Sequence, residues 1–150
     1  MLWLFNVLKA MIVLLGIFVG LAFLLPSHRH VERSLDISAP VQRVWGLIAD
    51  PQQWTTWSPW SSKNPTLKVR FDAAESPKLL TYTLTWVDMG SQARGAFRLE
   101  PMPLGTRITW SLDAELGHNP MMRWFGLALD RWVGRDLESG LARLALISKA

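Results

Sequence analysis

From Ala10 to Leu25 every position is apolar, and Leu2 to Leu8 extends the run with Asn6 as its only polar member. Lys9 is the only charge before Pro26. Such a segment predicts one helix, because ~30 Å of hydrocarbon takes about 20 mostly apolar residues to cross and only helices or closed barrels satisfy their backbone there. After Pro26 the period changes. Val31, Arg33, Leu35 and Ile37 alternate with Glu32, Ser34 and Asp36, so Val31 to Ala39 predicts a half-buried strand. Val41, Val44, Trp45, Leu47 and Ile48 then recur at helical spacing behind Pro40, and Asp50-Pro51 opens a second short helical turn through Trp54. Alternation returns in Leu67/Val69/Phe71, Leu80/Tyr82/Leu84/Trp86, Phe97/Leu99 and Ile108/Trp110/Leu112. Glu75-Ser76-Pro77, Met89-Gly90-Ser91 and Pro101 to Gly105 read as the intervening turns. Asn119-Pro120 reads as an N-cap and first helical position. Phe125, Leu129, Trp132/Val133, Leu137, Leu141 and Leu144 behind it predict a long helix with one apolar stripe. Gly134 is where a kink is expected, and Gly140 where this helix and the sheet come closest.

These elements predict an α+β fold: a curved antiparallel sheet packed on a long C-terminal helix, preceded by one transmembrane helix. Residues 1–26 read as the anchor and 27–150 as one domain. A cleaved signal peptide fits less well, since MLWLFN carries no basic side chain and the best cleavage site, Gly20-Leu21-Ala22, runs on into apolar sequence. Lys9 and the terminal amine lie on one flank, and Arg29, Arg33 and Arg43 on the other. That distribution favours a cytoplasmic domain, single-pass in a bacterial inner membrane. The formal charge of +4, with no run of five basic residues, argues against nucleic acid and fits attraction to anionic headgroups. Cysteine is absent, which removes disulfides and thiolate metal sites. Gly16 and Gly20 form a G-x-x-x-G that would let two anchors meet as a homodimer, although glycine is common in membrane helices generally.

Candidate chemistry is sparse. Trp54, Trp57 and Trp60 would plug the end of the core, wall an apolar ligand site, or touch the membrane interface. Tyr82, Trp86, Phe97 and Trp110 share the apolar sheet face, with Phe125, Leu129 and Trp132 expected opposite. They are core residues by default and cavity walls if a cavity exists. His118 has no evident partner for base catalysis. His28 and His30 alone make a poor metal pair, and Asp50, Asp113 and Glu115 read as salt-bridge or turn residues. Lys68, Arg70, Arg94, Arg98 and Arg107 fall on the polar strand phase, as a basic face or an ordinary solvated one. No nucleophile-elbow, phosphate-loop, zinc or dinucleotide fingerprint occurs, so no cofactor is implied.

Several stretches resemble the membrane-anchored branch of the polyketide cyclase/dehydrase–START-like (SRPBCC) superfamily. They are Val31-Glu32-Arg33-Ser34, Ala39-Pro40 with Val44-Trp45, and Trp54-x-x-Trp57-Ser58-Pro59-Trp60. Gly105-Thr106-Arg107-Ile108-Thr109-Trp110 and Gly134-Arg135-Asp136-Leu137-Glu138-x-Gly140-Leu141 complete the set. The resemblance implies a helix-grip fold with an apolar cavity between the long helix and the sheet. Relatives of that kind bind lipids or hormones, associate with ubiquinone, or act as cyclases. The glycine-rich hairpin usual after Trp60 is missing, and Asn64 to Leu79 is short, so a reduced sheet and pocket are expected. The expected function is a membrane-tethered domain binding a hydrophobic ligand or lipid without catalysis. The alternatives are a scaffold with a filled core acting through a membrane partner or homodimer, and a cyclase- or dehydratase-like enzyme.

Overall fold

A computed structural model describes residues 1–60, 66–88 and 90–149. Asn64, in the shortened segment, and Met89, in an expected turn, lie outside the described residues. The order is α1 (Leu2–Ala22), β1 (His28–Ile37), α2 (Val41–Ile48), α3 (Trp54–Trp57), β2 (Leu67–Glu75), β3 (Leu79–Trp86), β4 (Ser91–Met102), β5 (Gly105–Glu115) and α4 (Pro120–Lys149). The strands form one antiparallel sheet in the order β1-β5-β4-β3-β2. Helix α4 lies across its inner face, so the α+β helix-grip architecture read from the pattern is the observed one.

Helix α1 carries apolar side chains all round and leaves nearly all of them exposed. It is long and apolar enough to cross a membrane, and it is not part of the domain core. Strand β1 begins at His28, three residues before the expected start, because its pairing with β5 runs back to His28 opposite Glu115. The joint from α1 to the sheet is therefore shorter than the alternation implied. Strand β4 also begins earlier than expected. Ala93 and Gly95 continue the inward phase of Phe97 and Leu99, and their small side chains concealed the alternation.

Helix α4 runs unbroken through Gly134, where a kink or break was expected. Asn119 Oδ1 accepts the Met121 N–H at 2.9 Å, which caps its first turn. The glycines serve close approach. A Cβ on Gly140 would lie 2.7 Å from Trp110 Cζ3 and 3.1 Å from Pro59 Cδ. One on Gly134 would lie 2.3 Å from Arg33 Nη2. Arg33, the single charge in the inward phase of β1, is seated in that notch. There its Nε donates to Glu138 Oε1 at 2.9 Å, and Nη2 lies 3.5 Å from Asp130 Oδ2. Arg33 is half-buried and its carboxylate partners on α4 are exposed, so the cation is paired at the rim of the sheet–helix contact.

Candidate functional site

The sheet register divides the grip into two ends. His28, Glu115, Ser91, Trp86 and Leu67 lie together at the end where the chain leaves α1. The β4–β5 turn, where Met102 faces Gly105, lies at the other. Along the inward faces of β4 and β5, starting near α1, the opposed pairs are Ala93 with Ala114, Gly95 with Leu112, Phe97 with Trp110, and Leu99 with Ile108. Side-chain volume is thus smallest next to α1 and peaks at Phe97 and Trp110.

The far end is solid. Trp54, Trp57, Tyr82, Phe97 and Trp110 are buried and in mutual ring contact, with centroids 4.9–5.7 Å apart. Edge-to-face and offset pairs at this spacing add attraction beyond area burial. The polar atoms are satisfied within the cluster: Trp54 Nε1 donates to the Ile48 carbonyl at 2.7 Å and Trp57 Nε1 to the Leu47 carbonyl at 3.0 Å. Trp110 Nε1 donates to the Tyr82 hydroxyl. Burial pushes the Tyr82 phenol far above its ordinary range, so it stays protonated. Gly95 makes room for it, since a Cβ there would lie 2.1 Å from Tyr82 Cζ.

The near end is hollow. A cavity of about 420 Å³ lies between the first half of α4 and the α1 end of the sheet. Trp86, Leu67, Ala93, Leu112 and Ala114 form the sheet wall, and Met122, Phe125, Leu129, Trp132 and Val133 the helix wall. It falls within the ~300–1,000 Å³ range of small-molecule sites, and its lining is mostly apolar with few polar groups, as such sites require. Among the described residues those polar groups are Ser91, Gln92, Glu115 and Asp136. Trp60 is the partition. Its side chain lines the cavity and its ring centroid lies 5.2 Å from that of Trp110, while its Nε1 donates to Asp136 Oδ2 at 3.0 Å. Phe125 and Trp132 meet edge to face at 5.0 Å but are 44% and 53% exposed, so they form a lip rather than an inner wall.

The residues singled out from sequence therefore separate. Trp60, Trp86, Phe125, Leu129 and Trp132 border the hollow, whereas Trp54, Trp57, Tyr82, Phe97 and Trp110 fill the core beyond it. These last five were candidate cavity walls; none of them borders this hollow, and they close on one another instead. Ala93 and Ala114 were not singled out. Their signal was present as small residues in phase with Phe97 and Trp110. Gly16 and Gly20 have no atom within 4 Å of an added Cβ. They face away from Phe18, whose ring stacks on Trp124 of α4, because positions two apart on a helix point in nearly opposite directions. His118 is exposed. On the outer sheet face the basic residues alternate with carboxylates: Arg107 donates to Asp36 at 2.7 and 3.0 Å, and Arg70 to Asp72 at 3.1 Å. That face is mixed in charge rather than basic.

Helix α4 is tied to α1 at the mouth of the hollow. Trp124 stacks on Phe18 at 4.8 Å, and its Nε1 donates to the Phe18 carbonyl at 3.0 Å. Arg123 donates to the Gly117 carbonyl at 3.0 Å, to that of Phe23 at 3.3 Å and to that of Leu25 at 3.4 Å.

The family model for polyketide cyclase / dehydrase and lipid transport proteins matches residues 60–147. No curated protein matches the chain. Among solved structures, a Mesorhizobium loti protein is 19% identical with a TM-score of 0.60, over 77% of this chain and 96% of its own. A Rhodobacter sphaeroides protein is 14% identical with a TM-score of 0.61, over 79% of this chain and 90% of its own. DynU16, from the dynemicin biosynthetic locus, is 17% identical with a TM-score of 0.63 over 81% of this chain, which spans only 47% of DynU16. At these identities the likeness is one of fold.

Proposed function

The chain belongs to the polyketide cyclase / dehydrase and lipid transport family, and from that premise we propose that it is a membrane-tethered helix-grip domain that holds a hydrophobic ligand without transforming it. The observation that carries this reading is the apolar hollow of about 420 Å³ at the α1 end of the grip. Transfer of hydrocarbon from water into such a site is worth roughly 25 cal/mol per Å² buried. Tethering is supported by α1, whose apolar side chains have no place in the domain core and whose last turns are held by Trp124 and Arg123. Binding without catalysis is favoured by the lining. Among the described residues its two titratable groups are Glu115 and Asp136, and Asp136 already accepts the Trp60 N–H.

The test is native mass spectrometry of the full chain extracted in mild detergent. An apolar mass should co-purify, and Ala114→Phe, which places a ring in the hollow, should displace it. Protein that is empty in every preparation overturns the reading. A second reading, a scaffold acting through a membrane partner or homodimer, draws on the solid far end and on the open Gly16/Gly20 face. It expects cross-linked dimers that Gly16→Leu and Gly20→Leu abolish, with no ligand in the hollow.

A further inference from the structure

We infer that the hollow opens into the membrane itself, and that its occupant is the hydrocarbon chain of a bilayer lipid that enters without crossing water. This rests on the tethered, ligand-holding reading above and adds the ligand's source and route.

The argument is one of depth. At 1.5 Å per residue, the helix Leu2–Ala22 is about 30 Å long, the thickness of the hydrocarbon layer. Phe18 then lies about 6 Å inside the domain-side end of the span. Trp124 is stacked on Phe18 and bonded to its carbonyl, so the first turns of α4 sit at the same level. An indole with one polar atom is suited to that boundary. Arg123, one position earlier, spends its guanidinium on carbonyls of Gly117, Phe23 and Leu25. A cation at that depth is thereby hydrogen-bonded to backbone rather than bare.

The hollow follows from the same register. Each strand residue in its wall, from Leu67 and Trp86 through Ala93 to Ala114, lies at the α1 end of its strand. Its helix wall is the part of α4 that begins beside Phe18. The exposed lip of Phe125 and Trp132 continues from Trp124, with Met121 exposed one turn before. In water these rings would be an unprotected apolar patch. In the leaflet they are a lined entrance. The cavity has room for about one chain of a lipid, which leaves the headgroup at the surface.

The far end of the domain supplies the contrast. Leu104 and Leu146 are 92% and 70% exposed, as apolar as the lip, but they lie at the β4–β5 turn and near the end of α4.

The experiment uses the full chain in phosphatidylcholine/phosphatidylglycerol vesicles. Phosphatidylcholine with a diazirine in its acyl chain is supplied only in the bilayer, and adducts are mapped by peptide mass spectrometry. Adducts on α1 report that the probe reaches the protein. The expected result adds adducts on Phe125 and Trp132 and on the inner residues Leu112 and Leu129, with none on Leu104 or Leu146. In Ala114→Phe the inner adducts should fall at least tenfold while those on the lip persist. Adducts confined to α1, in protein that still co-purifies with an apolar mass, overturn the membrane route and leave the ligand-holding reading intact. Adducts confined to α1 in protein that is also empty overturn both. Lip adducts without inner ones overturn entry of the chain.

Discussion

The two ends of the grip are made from the same strands and the same helix, yet one is solid and the other hollow. At the far end Phe97 faces Trp110 on adjacent strands, and at the near end Ala93 faces Ala114. The backbone scaffold is continuous through both. What differs is side-chain volume at successive inward positions of β4 and β5. The hollow thus lies where two strands carry small residues at their inward positions. The division also separates two demands. A hollow forgoes the dispersion contacts that a packed interior would make. Five interlocked aromatic rings at the other end supply a compact core that holds the walls in place.

The sharpest way to break this comparison is to truncate one tryptophan at each end. Trp110→Ala removes a fully buried ring that contacts Trp57, Trp60 and Phe97, and should cost about 3–5 kcal/mol in urea unfolding of the full chain. Trp132→Ala removes a ring that is 53% exposed and should cost under ~1 kcal/mol. Equal losses would mean that the near end is packed like the far one.

The next largest effect comes from adding atoms. Gly95→Ala introduces a single carbon 2.1 Å from the Tyr82 ring, which has no space to yield. A loss of about 1–3 kcal/mol is expected, as for other overpacked cores. Ala114→Phe introduces a whole ring, but into the hollow, and should change stability by under ~1 kcal/mol. A methyl that destabilises more than a benzyl group does would locate the boundary between the two regimes at one residue step. The reverse order, measured by denaturant midpoints, would place the cavity elsewhere.

Much of this was legible in the chain. Hydrophobic periodicity gave the strands, the cover helix and the inward phase, because burial on one face forces alternation of period two or 3.6. The close approach at Gly140 followed from a missing side chain in an apolar stripe. The cavity was less legible. Periodicity marks which side chains point inward, but not whether facing ones meet. Trp57 and Trp110 could equally have walled a space or closed it. Their contact depends on α3 being folded over the sheet, a tertiary fact with no local signature. The small pair Ala93 and Ala114 went unmarked for the opposite reason, since alanine contributes little to a hydrophobic pattern. Gly134 illustrates a different limit. Low helix propensity suggested a kink, and the glycine instead makes room for Arg33, whose pairing with Glu138 lies 105 residues away in sequence.

The smallest effect concerns pH, and it too distinguishes the ends. Strands β1 and β5 are tied on their outer face by Arg107–Asp36 far from α1 and by His30–Asp113 near it. His30 Nδ1 donates to Asp113 Oδ1 at 2.6 Å, its Nε2 to Glu32 Oε2 at 3.2 Å, and His28 Nε2 lies 3.4 Å from Asp113 Oδ1. The hydrogen bond to Asp113 holds the imidazole above its usual 6.5, against a smaller opposing effect of burial. A group whose pKa is raised on folding stabilises fully below its unfolded value, and that stability is lost as pH rises through the folded one. The near end should therefore loosen slightly as pH rises from about 6.5 through the raised value, by under ~1 kcal/mol for so exposed a pair. Asp36 is held below 3.8 by Arg107, so its contribution is present at higher pH and is lost only as pH falls through that lowered value. Hydrogen exchange of β1 amides between pH 6 and 8, corrected for intrinsic rates, should show increasing opening at the His28 end and constant protection near Asp36. His30→Gln should flatten the first trend, and Asp36→Asn should leave it unchanged. A uniform response along β1 would mean that its two ends open as one unit, and the division seen inside the grip would not extend to its outer surface.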